Sequence, residues 1–337
     1  MIRKAMLYDP LEDQRVQCCL CAHRCKVNPG RRGLCGVREN KDGAFYSLVY
    51  GTIVAENIDP IEKKPFFHVL PGSKSYSIAT AGCNFFCGFC QNASLSQTPR
   101  NTLMIMGEEM SPEEIVNRAI NSGCRTIAYT YTEPTVYFEL AYDTARLAAK
   151  QSLRNVFVTN GYMTPEALHL IAPYLDAANV DLKSFRDDFY KKQCGGRLEP
   201  VLETLRLLKS LGIWMEITTL LIPGFNDSEA ELTDIAGFIA GLGREIPWHI
   251  SRFHPQYRMR DMPVTPLASL HLACDIGKKA GLKYVYSGNA PGDACESTFC
   301  AHCGLRVIER YGYEIQSIDL NGDCCRFCKT PLDGIFS

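Results

Sequence analysis

Three closely spaced cysteines in the run CNFFCGFC are the residues of this sequence best suited to chemistry: Cys83, Cys87 and Cys90. Three thiolates at this spacing can hold three corners of an iron–sulfur cube, and the missing fourth ligand leaves one iron open to a substrate or cofactor. A zinc site lacking one ligand and a redox pair of cysteines are the alternatives that spacing leaves open. The run therefore predicts a metal-dependent reaction.

Two CxxC pairs near the carboxyl end predict a second metal site. Cys300 and Cys303 form one pair, Cys325 and Cys328 the other, and residues 304–324 separate them. Four thiolates in two such pairs give a closed tetrahedral zinc site, which stabilises a segment too small for a core of its own. A second iron–sulfur cluster is the rival, and Cys324 competes with Cys325 as the ligand.

A third group of cysteines lies near the amino terminus, and its spacing does not decide between zinc and an auxiliary iron–sulfur cluster. His23 and Cys19 are possible substitute ligands. Disulfides are not expected, because a reducing cytoplasm keeps thiols free. The four candidate ligands are Cys18, Cys21, Cys25 and Cys35. The four cysteines outside these groups, for which we predict burial as small apolar residues, are Cys124, Cys194, Cys274 and Cys295.

The elements that must position these cysteines follow from the pattern between residues 76 and 289. Short β-branched or aromatic runs alternate there with amphipathic stretches, which is typical of repeated βα units with buried parallel strands. Ser111-Pro112-Glu113-Glu114 and Thr164-Pro165-Glu166 predict helix starts. The predicted strands cover residues 76–81, 125–131, 154–160, 177–182, 213–220, 247–253 and 283–288.

This alternation predicts the α/β class with a partial (β/α) barrel of about six units, although periodicity alone leaves an open doubly wound sheet possible. The flanks lack the alternation. We expect a cysteine-rich amino-terminal cap over residues 1–74, the barrel over 75–292, and a zinc-ribbon-like tail over 293–337.

Composition excludes several classes of protein. Hydrophobic residues make up 46% and charged residues 22% of the 337, values typical of a folded globular chain. The 36 Lys and Arg nearly balance the 37 Asp and Glu, so there is no strong nucleic-acid signal. No apolar stretch is long enough for a membrane span and no secretory run begins the chain, so we expect a cytoplasmic protein with no membrane partner.

Polar residues stand at the carboxyl ends of consecutive predicted strands, where barrels place their chemistry. Each has an ordinary structural alternative, such as a turn at Asn160-Gly161 or a solvated Lys183. The cofactor-binding candidates are Glu133, Asn160, Asp181, Lys183, Arg252 and His254, together with Phe89 just before the third cysteine.

The spacing CxxxCxxC, with an aromatic residue before the third cysteine, resembles the signature of the radical SAM superfamily. The resemblance implies a 4Fe-4S cluster whose open iron chelates S-adenosylmethionine, reductive cleavage of a carbon–sulfur bond, and a 5'-deoxyadenosyl radical that abstracts hydrogen. Tyr131-Thr132-Glu133-Pro134 resembles the activase variant of the superfamily's GGEP segment but lacks both glycines. Asp181-Leu182-Lys183 also resembles the activase pattern.

A closer resemblance covers nearly the whole chain. The pattern CxLCxHxCxVxPGxxGxCGVRxN from Cys18 to Asn40, residues 61–65 and residues 129–135 resemble the radical SAM member of the AmmeMemoRadiSam group. This resemblance favours zinc slightly at the amino-terminal cysteines. The chain is also similar to pyruvate formate-lyase activating enzyme, whose substrate is a backbone glycine of a partner enzyme.

The resemblance implies hydrogen abstraction from a protein substrate, with flavodoxin or ferredoxin as electron donor and AMMECR-like and Memo-like proteins as partners. Two alternatives stay open: a radical reaction on a small molecule carried out with such a partner, and a scaffold or electron carrier that never cleaves S-adenosylmethionine. No catalytic residue beyond the cofactor-binding and metal-binding candidates follows from the sequence.

Overall fold

The computed structural model describes residues 2–337. Residues 2–51, called here the amino-terminal flank, form two small antiparallel sheets. Turns with left-handed backbone, such as the one at Gly43, connect their short strands. The strands are β1 (Arg3–Lys4), β2 (Tyr8–Pro10), β3 (Val16–Cys18), β4 (Lys26–Val27), β5 (Arg38–Lys41) and β6 (Ala44–Ser47).

One large sheet forms the centre of the molecule and contains all seven predicted strands. Its parallel strands follow one another in chain order and are joined by six helical crossovers, the arrangement of a partial barrel. Their side chains are almost all buried, which explains their apolar composition. The strands are β7 (Thr52–Pro60), β8 (Lys74–Thr80), β9 (Glu108–Glu109), β10 (Thr126–Tyr129), β11 (Arg154–Thr159), β12 (Ala177–Asp181), β13 (Trp214–Leu221), β14 (Trp248–Arg252) and β15 (Val285–Gly288).

Strands β7 and β9 extend this sheet at one edge in antiparallel pairing. The predicted cap included residues 52–60, but these residues pair with β8 over nearly its whole length. By hydrogen bonding, β7 is therefore part of the central sheet.

Helices cover the outside of the sheet, and two begin as the sequence predicts. Ser111 Oγ accepts a hydrogen bond from Glu114 N, and Thr164 Oγ1 accepts one from Ala167 N, which satisfies free amides at each helix start. The helices are α1 (Ala93–Ser96), α2 (Thr98–Thr102), α3 (Pro112–Asn121), α4 (Phe138–Lys150), α5 (Pro165–Ile171), α6 (Asp187–Phe189), α7 (Glu199–Ser210), α8 (Glu229–Leu242) and α9 (Leu267–Lys279). Single turns of 3-10 helix cover Ile61–Lys63, Pro134–Tyr137, Ala172–Tyr174 and Ala294–Glu296, and a π-helical turn covers Tyr190–Cys194.

Residues 293–337, called here the carboxy-terminal flank, form a three-stranded and a two-stranded antiparallel sheet. A small cluster of Val307, Ile308 and Leu332 lies between them together with cysteines. The strands are β16 (Thr298–Phe299), β17 (Arg306–Tyr311), β18 (Glu314–Ile318), β19 (Leu320–Asn321) and β20 (Cys324–Cys325).

The two flanks cover opposite ends of the barrel. Thr164, which follows β11, donates its hydroxyl to Cys19 O of the amino-terminal flank at 2.7 Å. Arg154, the first residue of β11, donates to Ser337 O of the carboxy-terminal flank at 3.3 Å. Of the helices described over residues 2–337, none has the length and apolar character needed to span a bilayer.

Candidate functional site

The loop that carries Cys83, Cys87 and Cys90 leaves the carboxyl end of β8 and is held by backbone hydrogen bonds. Phe86 N donates to Cys194 O at 2.9 Å, and Gly88 N donates to Gln193 O at 3.1 Å. Both acceptors lie in the π-helical turn Tyr190–Cys194. This turn therefore fixes the backbone conformation that presents the three thiols.

Two glycines bring that turn close to the cysteine loop. Gly195 has a φ of +75°, and a Cβ added to it would overlap the ring of Phe86. A Cβ on Gly196 would overlap the ring of Phe85 in the same way. The sequence analysis did not single out this Gly-Gly pair, although such a pair is a usual sign of close backbone approach.

Of the three central cysteines, Cys87 is buried, and Cys83 and Cys90 are partly exposed. Burial is the main cause that raises the pKa of Cys83 well above its ordinary value, followed by the charge of Glu133 and the thiol of Cys87. Cys90 Sγ lies 3.3 Å from Ser96 Oγ. Metal binding would reverse such a shift, because coordination requires the thiolate.

Cys194 is buried, as predicted, and its thiol lies beside that of Cys87. The Cys194 thiol lowers the pKa of Cys87, whereas burial, and after it the Cys87 thiol, raises the pKa of Cys194. Its position in the chain, more than a hundred residues from the motif, concealed this contact. Of the other predicted buried cysteines, Cys124 and Cys274 are buried as expected. Cys295 is only partly buried.

Asp181 and Lys183 lie together at the end of β12, next to the central thiols. Lys183 Nζ is 2.7 Å from Asp181 Oδ2 and 5.8 Å from the ring centre of Phe89. Burial alone lowers the pKa of Lys183, but Asp181 and the thiols of Cys87 and Cys194 raise it well above its usual range. The site therefore combines a firmly protonated amine with a partly exposed carboxylate.

Glu133 is buried and its carboxylate is fully engaged by protein donors. Oε1 accepts from Thr135 Oγ1 at 2.6 Å and from Thr159 Oγ1 at 2.8 Å, while Oε2 accepts from Asn160 N at 2.8 Å. This carboxylate ties the turn after β10 to the end of β11. Its geometry suits positioning of the backbone around the site.

Asn160 reaches the cysteine loop directly. Its Nδ2 donates to Asn84 Oδ1 at 2.7 Å and lies 3.8 Å from Cys83 Sγ. Strand ends β8, β10, β11 and β12 therefore supply one connected group of polar side chains and thiols.

The remaining predicted positions, Arg252 and His254, follow β14. Arg252 Nε donates to Thr265 O at 2.8 Å, a contact that supports the local loop. His254 is exposed. Neither side chain contacts the central cysteines, and their part in cofactor binding stays a prediction.

The carboxy-terminal cysteines form a compact group of four sulfurs. The four sulfur atoms, from Cys300, Cys303, Cys325 and Cys328, all lie within 4.8 Å of one another. Cys300 Sγ is 3.6 Å from Cys328 Sγ, and Cys303 Sγ is 3.8 Å from Cys325 Sγ. A tetrahedron with metal–sulfur bonds of about 2.3 Å has sulfurs roughly 3.8 Å apart, so the group fits one ion of this size.

Cys324 is not part of that group, which answers the question left open by the adjacent cysteines. Its Sγ donates to Asp323 Oδ1 at 3.3 Å on the outer side of the flank. The two residues occupy successive positions of β20, and successive side chains of a strand point to opposite faces.

The amino-terminal cysteines line a small cavity of about 20 Å³, which has room for about one water molecule. His23 and Asn84 also line it. His23 Nε2 bonds Asn84 O at 2.9 Å, and Cys19 Sγ donates to Asp9 Oδ2 at 3.2 Å. Their part as substitute ligands stays a prediction. The four cysteines that line the cavity are Cys18, Cys21, Cys25 and Cys35.

Comparisons with known proteins agree with this geometry. The profile of the radical SAM superfamily matches residues 77–235. An uncharacterised protein of Methanocaldococcus jannaschii is 46% identical over 335 residues, which cover 98% of this chain and 99% of that protein. The isethionate sulfite-lyase activating enzyme of Nitratidesulfovibrio vulgaris is 27% identical over 178 residues, 48% of this chain and 57% of that enzyme.

A solved structure supports the fold. A radical SAM methyltransferase from Sphaerobacter thermophilus aligns with a TM-score of 0.52 and 17% identity over 65% of this chain and 68% of that chain. The chain thus belongs to the radical SAM superfamily and is an enzyme. Membership implies a 4Fe-4S cluster and S-adenosylmethionine as cofactors. The predicted superfamily, fold class and partial barrel are confirmed.

Proposed function

We propose that this enzyme reductively cleaves S-adenosylmethionine at a cluster held by Cys83, Cys87 and Cys90, and that it abstracts hydrogen from a protein substrate. The observation that carries the cofactor assignment is the placement of these three thiols in one loop at the carboxyl end of β8, beside Asp181 and Lys183. When bound, a 4Fe-4S cluster would supply an open iron for the cofactor and the electron that cleaves its carbon–sulfur bond.

The chain's own residues would bind and orient this cofactor. Lys183 offers a cation and Asp181 a partly exposed carboxylate, which match the carboxylate and amino groups of an amino acid. Glu133 holds the backbone of the β10 and β11 ends in place through its hydrogen bonds. We assign Asn160 to the orientation of the Cys83 loop.

A protein substrate is favoured by the relative that activates isethionate sulfite-lyase, since an activating enzyme acts on another enzyme. We also propose membership in the AmmeMemoRadiSam group, with AMMECR-like and Memo-like partners and a flavodoxin or ferredoxin as electron donor. The sequence patterns around Cys18 to Asn40 support this finer assignment.

We further propose that the carboxy-terminal flank is a zinc ribbon. The sulfur separations of 3.6 and 3.8 Å in this group support a single tetrahedral ion. Under this assignment the flank has a structural role, at the end of the barrel opposite the central cysteines.

Anaerobic turnover with dithionite tests the proposed reaction. The parent is expected to release 5'-deoxyadenosine, and Cys87→Ala is expected to release none, because loss of one ligand removes the cluster. Cys124→Ala, another buried cysteine, is the matched control and should behave like the parent. A fully loaded parent that releases no 5'-deoxyadenosine would refute the proposal. Transfer of deuterium from a labelled AMMECR-like or Memo-like protein into 5'-deoxyadenosine would identify the substrate.

A further inference from the structure

Cys274 and Cys295, two cysteines outside the three groups, have their thiols side by side near the point where the barrel meets the carboxy-terminal flank. Cys274 lies on the buried face of α9 and is 1% exposed. Cys295 lies in the 3-10 turn Ala294–Glu296, which follows β15, and is partly exposed. The largest influence on the pKa of either thiol is the other thiol. A buried thiol beside an accessible one is the usual arrangement of an attacking cysteine and its resolving partner.

A lysine one helical turn further along α9 faces the same pair. Lys278 follows Cys274 by four residues, so both side chains lie on one face of the helix, and its Nζ is 3.9 Å from Cys295 Sγ. The Cys274 thiol first, then Lys278 and His271, lower the pKa of Cys295 to about 6, against burial and the charge of Asp293. The Cys295 thiol and burial raise the pKa of Cys274. Cys295 is therefore the thiolate of the pair at neutral pH, and the thiolate is the nucleophile.

Asp293 holds Cys295 in this position. Its Oδ1 accepts from Cys295 N at 2.9 Å and from Ser287 Oγ of β15 at 2.7 Å. Its Oδ2 lies 2.6 Å from His271 Nε2 of α9. One carboxylate thus ties the turn to the last strand and to the last helix of the barrel, which fixes the accessible thiol next to the buried one.

We propose that Cys274 and Cys295 form a redox-active dithiol that exchanges with small-molecule disulfides. The Cys295 thiolate attacks one sulfur of the small disulfide, forms a mixed disulfide and releases the first product as a thiolate. Cys274 then loses its proton to solvent and attacks Cys295 Sγ, which forms the Cys274–Cys295 bond and releases the second product as a thiolate. The protein loses two electrons and the small disulfide gains them.

The bond would link the barrel to the carboxy-terminal flank. Cys274 belongs to α9, whereas the turn of Cys295 also contacts that flank, because Glu296 Oε2 accepts from Gly312 N at 3.0 Å. In a reducing compartment such a bond is transient, as in redox-sensing proteins. The site uses neither the central cysteines nor S-adenosylmethionine, so it is independent of the proposed function.

Mass spectrometry of the full chain, loaded with its metals and exposed to oxidised glutathione without air, tests the site. The parent should form a Cys274–Cys295 disulfide that dithiothreitol reverses. In Cys274→Ala the reaction should stop with glutathione on Cys295, and Cys295→Ala should carry no glutathione on Cys274. Cys124→Ala, which removes another buried cysteine, should behave like the parent. A parent with neither the disulfide nor glutathione on Cys295 would overturn the proposal.

The pH dependence of alkylation tests which thiol attacks. In the parent, the rate at which iodoacetamide modifies Cys295 should reach half its maximum near pH 6. Lys278→Met should move this midpoint to higher pH, because the cation that stabilises the thiolate is lost, whereas Lys279→Met in the same helix should leave it unchanged. A parent midpoint at the ordinary value of a thiol, about 8.5, would overturn the role of Cys295. Loss of iron or zinc from Cys295→Ala would likewise overturn it and make this cysteine a metal ligand.

Discussion

The two cysteine-rich flanks arrange the same residue type differently, and they lie at opposite ends of the barrel. The carboxy-terminal sulfurs pack as closely as a single ion requires, at the amino ends of the strands. The amino-terminal sulfurs surround a cavity at the carboxyl ends, beside the active-site loop. Barrel enzymes place chemistry at the latter end and stability at the former.

The two flanks are similar in one respect, because a buried Arg–Glu pair joins each of them to the barrel. Arg38 makes two contacts of 2.8 Å with Glu139 of α4. Arg310 of β17 lies 3.8 Å from Glu62 and donates to Phe67 O at 2.9 Å. The attachment is therefore similar, and the flanks differ in the arrangement of their cysteines.

Removal of a carboxy-terminal thiol should have the largest effect on stability. In Cys303→Ala, zinc should fall to background and residues 293–337 should become sensitive to protease, because structural zinc contributes roughly 10 kcal/mol or more in small zinc domains. The iron content of the barrel should be unchanged. Zinc analysis and limited proteolysis measure this.

Cys324→Ala is the matched control, since its side chain lies one residue away on the other face of β20. It should keep zinc and protease resistance. If Cys303→Ala kept a protected flank without zinc, the contrast between a structural and a chemical cysteine group would fail.

Breaking the buried pair at the barrel's amino end should have the next largest effect. Arg310→Met removes the buried cation near Glu62 together with its hydrogen bonds to Thr298 Oγ1 and Phe67 O, which should lower the free energy of unfolding by about 3 to 5 kcal/mol. Arg306→Met in the same strand removes a half-exposed arginine and should change it by less than about 1 kcal/mol. Urea denaturation followed by fluorescence compares them. Equal effects of the two substitutions on the free energy of unfolding would show that the buried pair does not stabilise this flank and that its stability depends on the metal alone.

Acid should weaken the contact between the carboxy-terminal flank and the barrel, because His68 lies between them. Its Nδ1 donates to Asp333 O at 2.6 Å and its Nε2 lies 2.7 Å from Tyr286 Oη. Burial lowers its pKa to about 4. The unfolded chain binds a proton below about pH 6.5, so stability from this group is complete above that pH and falls by up to roughly 3 kcal/mol as the pH drops to 4.

His68→Gln keeps a polar group there and should remove this part of the acid dependence. Urea denaturation of parent and variant at pH 7.0 and about pH 5 measures the difference. Parallel pH profiles for the two proteins would contradict the assignment to His68 and point to thiolate protonation at the zinc ligands instead.

The sequence alone determined the parts of this protein that depend on local spacing. Seven strands were predicted from apolar runs, and two helix starts from their caps, because burial and capping act over a few residues. The CxxxCxxC run identified the superfamily for the same reason.

Only the tertiary structure decided which distant residues meet. Three examples depend on contacts between segments many residues apart: Cys194 beside Cys87, the hydrogen bonds of Arg100 to Leu34 O and Cys83 O, and β7 in the central sheet. No local pattern encodes such contacts, since a barrel gathers strand ends whose separation in sequence is set by the helices between them. The choice between Cys324 and Cys325 likewise required the strand, because adjacent thiols become distinct only when the backbone turns them to opposite faces.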